Sequence, residues 1–134
     1  MENYNKIEKE DWATYYYLND ELHRLDGPAI EYHYGEGKES YQNGQLHRVS
    51  GPAIEKSNNH KEWWQNDLLY RIDGPAYESH DGSREWWQNE KLHRIDGPAI
   101  EWSDGYKEWW FEGKEIECNS QEEFERLIKL RLFW

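Results

Sequence analysis

The chain contains a single cysteine, Cys118, in 134 residues, so it forms no internal disulfide and no cysteine-based zinc cluster. It has one methionine, three phenylalanines and no apolar run long enough to span a bilayer. It also lacks a basic excess: 16 lysines and arginines stand against 28 aspartates and glutamates, for a net charge of −12. The acid excess runs along the whole chain and is not confined to a tail. Direct binding to nucleic acid needs a basic footprint on the phosphates, so that class is disfavoured and a positively charged partner is expected instead. The N-terminus, Met1-Glu2-Asn3-Tyr4-Asn5-Lys6, has no signal-peptide character, and a cytoplasmic location is expected. Hydrophobic residues make up 36% and charged residues 33%, proportions that on their own point towards disorder.

The aromatic residues reverse that reading. Nine tryptophans and ten tyrosines are too costly to leave in water. Each buries roughly 150–250 Å², on the order of 4–6 kcal/mol at about 25 cal/mol per Å². Proline is scarce and placed with a purpose: all four copies lie in Gly-Pro-Ala, at Gly27-Pro28-Ala29, Gly51-Pro52-Ala53, Gly74-Pro75-Ala76 and Gly97-Pro98-Ala99. The steps between them are 24, 23 and 23 residues. A period of this size means stacked supersecondary units.

One unit reads Leu-His-Arg-(Leu/Val/Ile)-(Asp/Ser)-Gly-Pro-Ala-(Ile/Tyr)-Glu, a variable turn, then Lys/Arg-Glu-aromatic-aromatic-Gln-Asn. Copies begin at Leu22, Leu46, Leu69 and Leu92, and Tyr15-Tyr16-Tyr17-Leu18-Asn19 forms a preceding half-unit. The pattern predicts two short strands per unit. One opens at Pro-Ala, where proline's missing N–H is tolerated, after an Asp-Gly turn that suits positive φ. The other is the Lys-Glu-Trp-Trp-Gln segment. The expected fold is therefore all-β, a stacked β-hairpin repeat solenoid with an extended antiparallel sheet. A single domain is expected, with residues 1–11 as an N-terminal cap, 12–114 as the repeats and 115–134 as a C-terminal capping helix. Ser120 and Glu123 form a capping box for that helix, with Phe124, Leu127 and Ile128 on one face and Leu130, Leu132, Phe133 and Trp134 extending its apolar end. A homodimer through the same helix is the alternative use of that face. Trp12 and Ile7 are the candidates to close the opposite end.

Alternation along a strand separates the aromatic pairs into two columns. The unbroken one, Tyr17, Tyr41, Trp64, Trp87 and Trp110, is assigned to the core with Ala29, Ala53, Ala76, Ala99 and the leucine series. The other, Tyr16, Ser40, Trp63, Trp86 and Trp109, admits a serine and is assigned to a half-exposed face.

The Leu-His-Arg-x-Asp-Gly-Pro-Ala and Lys-Glu-Trp-Trp pattern resembles a divergent MORN-type repeat, over residues 12–114. The resemblance implies stacked hairpins serving as an interaction or scaffolding module, with no shared catalytic residues. Lipid binding by some relatives fits an acidic chain poorly.

Chemistry offers little else. His23-Arg24-Leu25-Asp26 and His93-Arg94-Ile95-Asp96 share only letters with a kinase catalytic loop, because no phosphate loop accompanies them. Their arginines are expected to pair with the neighbouring aspartates or with Glu31, Glu55, Glu78 and Glu101. His23, His47 and His93 occupy equivalent positions too far apart to share an ion, so no metal, cofactor or enzymatic activity is expected. The expected partner-binding residues are Tyr16, Trp63, Trp86 and Trp109 with Glu39, Glu62, Glu85 and Glu108. They would meet a basic protein surface, such as the nucleic-acid groove of a host protein, as in a phage-type, anti-CRISPR-like inhibitor that mimics nucleic acid. A tryptophan platform for carbohydrate, or a self-assembling scaffold, is the alternative.

Overall fold

A computed structural model describes residues Met1–Arg131, so the expected apolar continuation at Leu132, Phe133 and Trp134 lies outside the described residues. The described chain is β throughout, with antiparallel pairing and one C-terminal helix. It divides into two compact units, Met1–Leu69 and Tyr70–Trp134.

In the first unit Lys6–Lys9 pairs with Ala13–Leu18, which pairs with Ile30–Tyr32. Gly37–Glu39, Ile54–Lys56 and Lys61–Glu62 follow in order, two sheet strands per repeat. Each repeat also makes a second, smaller hairpin: Tyr17–Leu18 with Glu21–Leu22, Tyr41–Gln42 with Gln45–Leu46, and Trp64–Gln65 with Leu68–Leu69. These small hairpins bond to one another. Gly44 N–H donates to Leu22 O at 2.9 Å and Arg24 N–H to Tyr41 O at 3.2 Å, and Asp67 and Arg48 repeat the pair with Leu46 and Trp64. The second unit repeats the plan with Tyr77–Glu78, Arg84–Glu85, Ile100–Glu101, Lys107–Phe111 and Lys114–Ile116, and a small hairpin of Trp87–Gln88 with Lys91–Leu92.

The aromatic segment, expected as one strand, breaks in the inner copies at Ser40, Trp63 and Trp86. The hydrogen bonds of the break explain it. Ser40 N–H donates sideways to Ala53 O at 2.7 Å, while Ser40 O accepts from His47 N–H at 3.0 Å across the small hairpin. Trp86 does the same with Ala99 and His93, at 2.8 and 3.0 Å. One residue thus serves two ladders and the strand bends there. The small hairpins close on turns with positive φ at both central residues, at Asn43-Gly44, Asn66-Asp67, Asn89-Glu90 and Glu112-Gly113, the geometry that matches strand twist in two-residue loops.

The buried core differs from the expected one. Ala29, Ala53, Ala76 and Ala99 are fully buried, as expected, but the unbroken aromatic column is only half-buried, and so are Leu22, Leu46, Leu69 and Leu92. The buried ring belongs to the other column: Trp109, 9% exposed, packs with Ile116 and Phe124. Helix α1, Gln121–Arg131, brings Phe124, Leu127 and Ile128 onto this cluster. Ser120 Oγ accepts from Glu123 N–H, and Glu123 reaches back to Asn119 N–H. The side chains of Ile7 and Trp12 are exposed and pack into no core, although Ile7 lies in the edge strand that pairs with Ala13–Leu18 and Trp12 donates Nε1–H to Tyr15 Oη. Beside that strand, residues 2–4 close the first unit at the repeat loop. Glu2 O accepts from His23 Nε2, Asn3 Oδ1 accepts from Leu25 N–H at 2.9 Å, and Tyr4 packs edge-on against Tyr16 at 4.8 Å.

Candidate protein-binding site

The residues common to all or most copies are consumed by the fold. His23, His47 and His93 each accept, through Nδ1, the backbone N–H of the next small turn, at Asn43, Asn66 and Glu112, over 2.9–3.1 Å. The histidine therefore ties one repeat to the next, and His23 donates its other ring proton to Glu2 O.

Each repeat arginine is held inside its own loop. Arg24, Arg71 and Arg94 donate Nε–H to Asp26, Asp73 and Asp96, and all four arginines donate to the carbonyl of the loop proline. Glu31, Glu55, Glu78 and Glu101 complete the pairing from the sheet strand. The expected pairing with aspartates and with strand glutamates both occur, on the same guanidinium. Burial opposes the charge on Arg24, but the bonds to Asp26 and Glu31 outweigh it and hold its pKa above the ordinary value. This packing explains the glycine of Gly-Pro-Ala, which has no positive φ. A Cβ at Gly27, Gly51, Gly74 or Gly97 would lie 2.9, 3.0, 2.7 or 2.5 Å from the arginine Cζ. Glycine is needed for close approach, not for turn conformation.

The expected contact residues are placed as follows. Tyr16 is half-buried with the Arg24 guanidinium 4.0 Å over its ring, and Trp86 carries Arg94 at 3.9 Å. Trp63 is half-buried. Trp109 lies beneath α1, donating Nε1–H to Gln121 at 2.8 Å, so it does not belong to an exposed row. The glutamates point to ring donors two residues along the same face. Glu39 accepts from Tyr41 Oη at 2.9 Å and from Tyr32 Oη at 3.1 Å. Glu62 accepts from Trp64 Nε1 at 2.6 Å and Glu85 from Trp87 Nε1 at 2.7 Å. Glu108 breaks the series by accepting from Trp102, which leaves Trp110 Nε1 as a buried donor with no partner. The glutamate column thus anchors the aromatic column. Burial, with Glu39 beside it, pushes the Tyr32 hydroxyl up to about 12 and raises Tyr41 as well.

What remains outside these contacts is the aliphatic residue after each arginine. Leu25, Val49, Ile72 and Ile95 are 41%, 76%, 75% and 57% exposed. An aliphatic kept at one exposed position in every copy is the signal that the columns of rings overshadowed. Pairs of these loops wall a groove in each unit. In the first unit a groove of ≈ 440 Å³ lies between the loops of Leu25 and Val49, floored by Ser40, Gln42 and His47. In the second, a groove of ≈ 550 Å³ lies between the loops of Ile72 and Ile95, floored by Trp86, Gln88 and His93. The terminal segments fix the outer walls: Asn3 binds Leu25 N–H, and Gln121 donates to Ile95 O at 2.9 Å.

Among the described residues no group of three or more histidine, cysteine or acidic side chains is placed to hold a metal ion, and burial pushes the Cys118 thiol up, away from the reactive thiolate. No helix among the described residues is long and apolar enough to cross a membrane. No family model, no curated protein and no solved structure matches the chain.

Proposed function

We propose that the chain is a non-catalytic, acidic repeat module of divergent MORN type that acts by binding the basic surface of another protein. The observation that carries this reading is the repeated exposed aliphatic residue, set next to an aspartate in three of four copies, on a chain of net charge −12. An apolar contact flanked by negative charge complements an apolar patch flanked by lysine and arginine, and such complementarity governs encounter rate and partner choice. Proteins that hold nucleic acid carry such surfaces, and occupying one inhibits the protein, as a phage-type inhibitor of a host defence protein would. The carbohydrate alternative has less support, because the rings of Tyr16 and Trp86 are covered on one face by arginine and Trp109 is buried.

The test is a tagged pull-down from lysate of the source or its host, washed at low and high salt, with wild type beside an Asp26→Asn/Asp73→Asn/Asp96→Asn variant. The expected result is a nucleic-acid-binding protein retained by wild type at low salt, released by high salt and lost with the variant. A clean eluate at low salt would contradict the proposal.

A further inference from the structure

The two grooves share one plan but differ in charge. Two aspartates and one arginine line the second, Asp73, Asp96 and Arg94. One aspartate, two arginines and a lysine line the first, Asp26, Arg24, Arg48 and Lys38. Resting on the reading above, we infer that the second groove is the contact element. It takes a lysine or arginine side chain of the partner, with the methylene stem between Ile72 and Ile95 and the charged head on Asp73 and Asp96.

Three features support this occupant. The side chains of Asp73 and Asp96 are 86% and 83% exposed, and each accepts at Oδ1 from its own arginine Nε–H, so both carboxylates stand at the rim with room for a further donor. Asp73 and Asp96 stand on the two loops that wall the same groove, so one ammonium or guanidinium with its hydration meets both rims. The walls are apolar and branched, matching the aliphatic stem that lysine and arginine bury while keeping the head in water. The Arg94 charge within the groove is already met by Asp96, Glu101, the Pro98 carbonyl and the Trp86 ring. The first groove is a built-in control. Serine replaces aspartate at Ser50, and Lys38, itself paired with Glu55, joins the lining, so a cation entering it finds one carboxylate fewer.

The probe is the peptide acetyl-Leu-Lys-Leu-Lys-amide, titrated into the isotopically labelled full chain and followed by NMR. A peptide with norleucine for lysine keeps the stem and removes the charge. The expected result is shifts concentrated on the Ile72 and Ile95 methyls and the Trp86 indole, absent with norleucine and weakened about tenfold or more in Asp73→Asn/Asp96→Asn. Lys38→Gln/Ser50→Asp should create matching shifts at Leu25 and Val49. Salt-sensitive binding whose shifts fall elsewhere, or that survives the double asparagine variant, overturns the groove while leaving the acidic-partner reading intact. No binding of the lysine peptide at low salt overturns both. Shifts at Ile72 and Ile95 on dilution without peptide would show that a second copy of the chain fills the groove, and would overturn the assignment to a foreign cation.

Discussion

The groove of the first unit and the groove of the second are built on the same ten positions, and a few substitutions change what each can hold. Ser50 stands where the second has Asp96, Ser40 where it has Trp86, and Lys38 enters the first groove's lining. Arg48 shows the effect directly. Without an aspartate at position 50, its side chain is 35% exposed, against 17–23% for the other three repeat arginines. The two units are also closed by unlike means. A polar segment pins Leu25 through Asn3, whereas an amphipathic helix pins Ile95 through Gln121 while its Phe124 fills the core. The strictest features of the repeat maintain the stack, and under the proposed reading the few positions on which the copies disagree set what each groove takes.

The largest effect is expected from the closures. Phe124→Ala should cost the second unit about 3–5 kcal/mol, the range for a fully buried aromatic, whereas Tyr4→Ala should cost about 1 kcal/mol because Tyr4 contributes a half-buried edge contact. Denaturant unfolding read through hydrogen exchange separates them. Equal losses would erase the contrast between an apolar and a polar closure.

Next come the glycines under the arginines. Gly97→Ala should cost about 1–2 kcal/mol, because the new Cβ displaces a guanidinium tied to Asp96, Glu101 and the Pro98 carbonyl. Gly51→Ala should cost less, since Arg48 is held by fewer groups and the approach is looser. Thermal unfolding with the reverse order would contradict the role given to these glycines.

Smaller still is a contrast between turns. Glu90 sits at φ 62 with its carboxylate exposed, so Glu90→Gly should stabilise by up to about 1 kcal/mol. Asp67 has the same backbone at φ 63, but its Oδ1 accepts from Leu46 N–H at 2.7 Å, so Asp67→Gly should gain nothing.

The least expected effect is alkaline. Tyr32 and Tyr41 have folded pKa values raised above the unfolded value of about 10. Their contribution is therefore fully present below pH 10 and is lost as pH rises through about 12, the value for Tyr32. Phenolate absorbance should show these two ionising late, and Glu39→Gln should bring both down. An unchanged titration would remove Glu39 from the account.

Much of this architecture is legible in the sequence. The period, the all-β pairing, the Asn-Gly turns, the buried alanines and the Ser120 cap follow from turn chemistry and strand alternation. For the arginines the sequence offers the aspartates or the strand glutamates as partners, and Arg24, Arg71 and Arg94 use both. The core was harder to read. Two adjacent rings declare opposite faces, but nothing local says that the first of the pair serves two ladders, or that α1 covers Trp109 and leaves its neighbours half-open. The glutamates beside the rings read equally well as a charged surface or as acceptors for indole and phenol donors, and only their geometry decides. The grooves were hidden for the opposite reason: Leu25, Val49, Ile72 and Ile95 look like core residues in composition, and their exposure depends on loops that lie outside the sheet.

The central claim is that the residues on which the copies differ carry recognition. Its most direct test is an exchange of rims, Asp96→Ser with Ser50→Asp and Lys38→Gln, measured by methyl NMR against the leucine–lysine peptide. The account predicts that the peptide leaves Ile72 and Ile95 and appears at Leu25 and Val49. Binding that stays where it was, or that follows total charge regardless of groove, would contradict it.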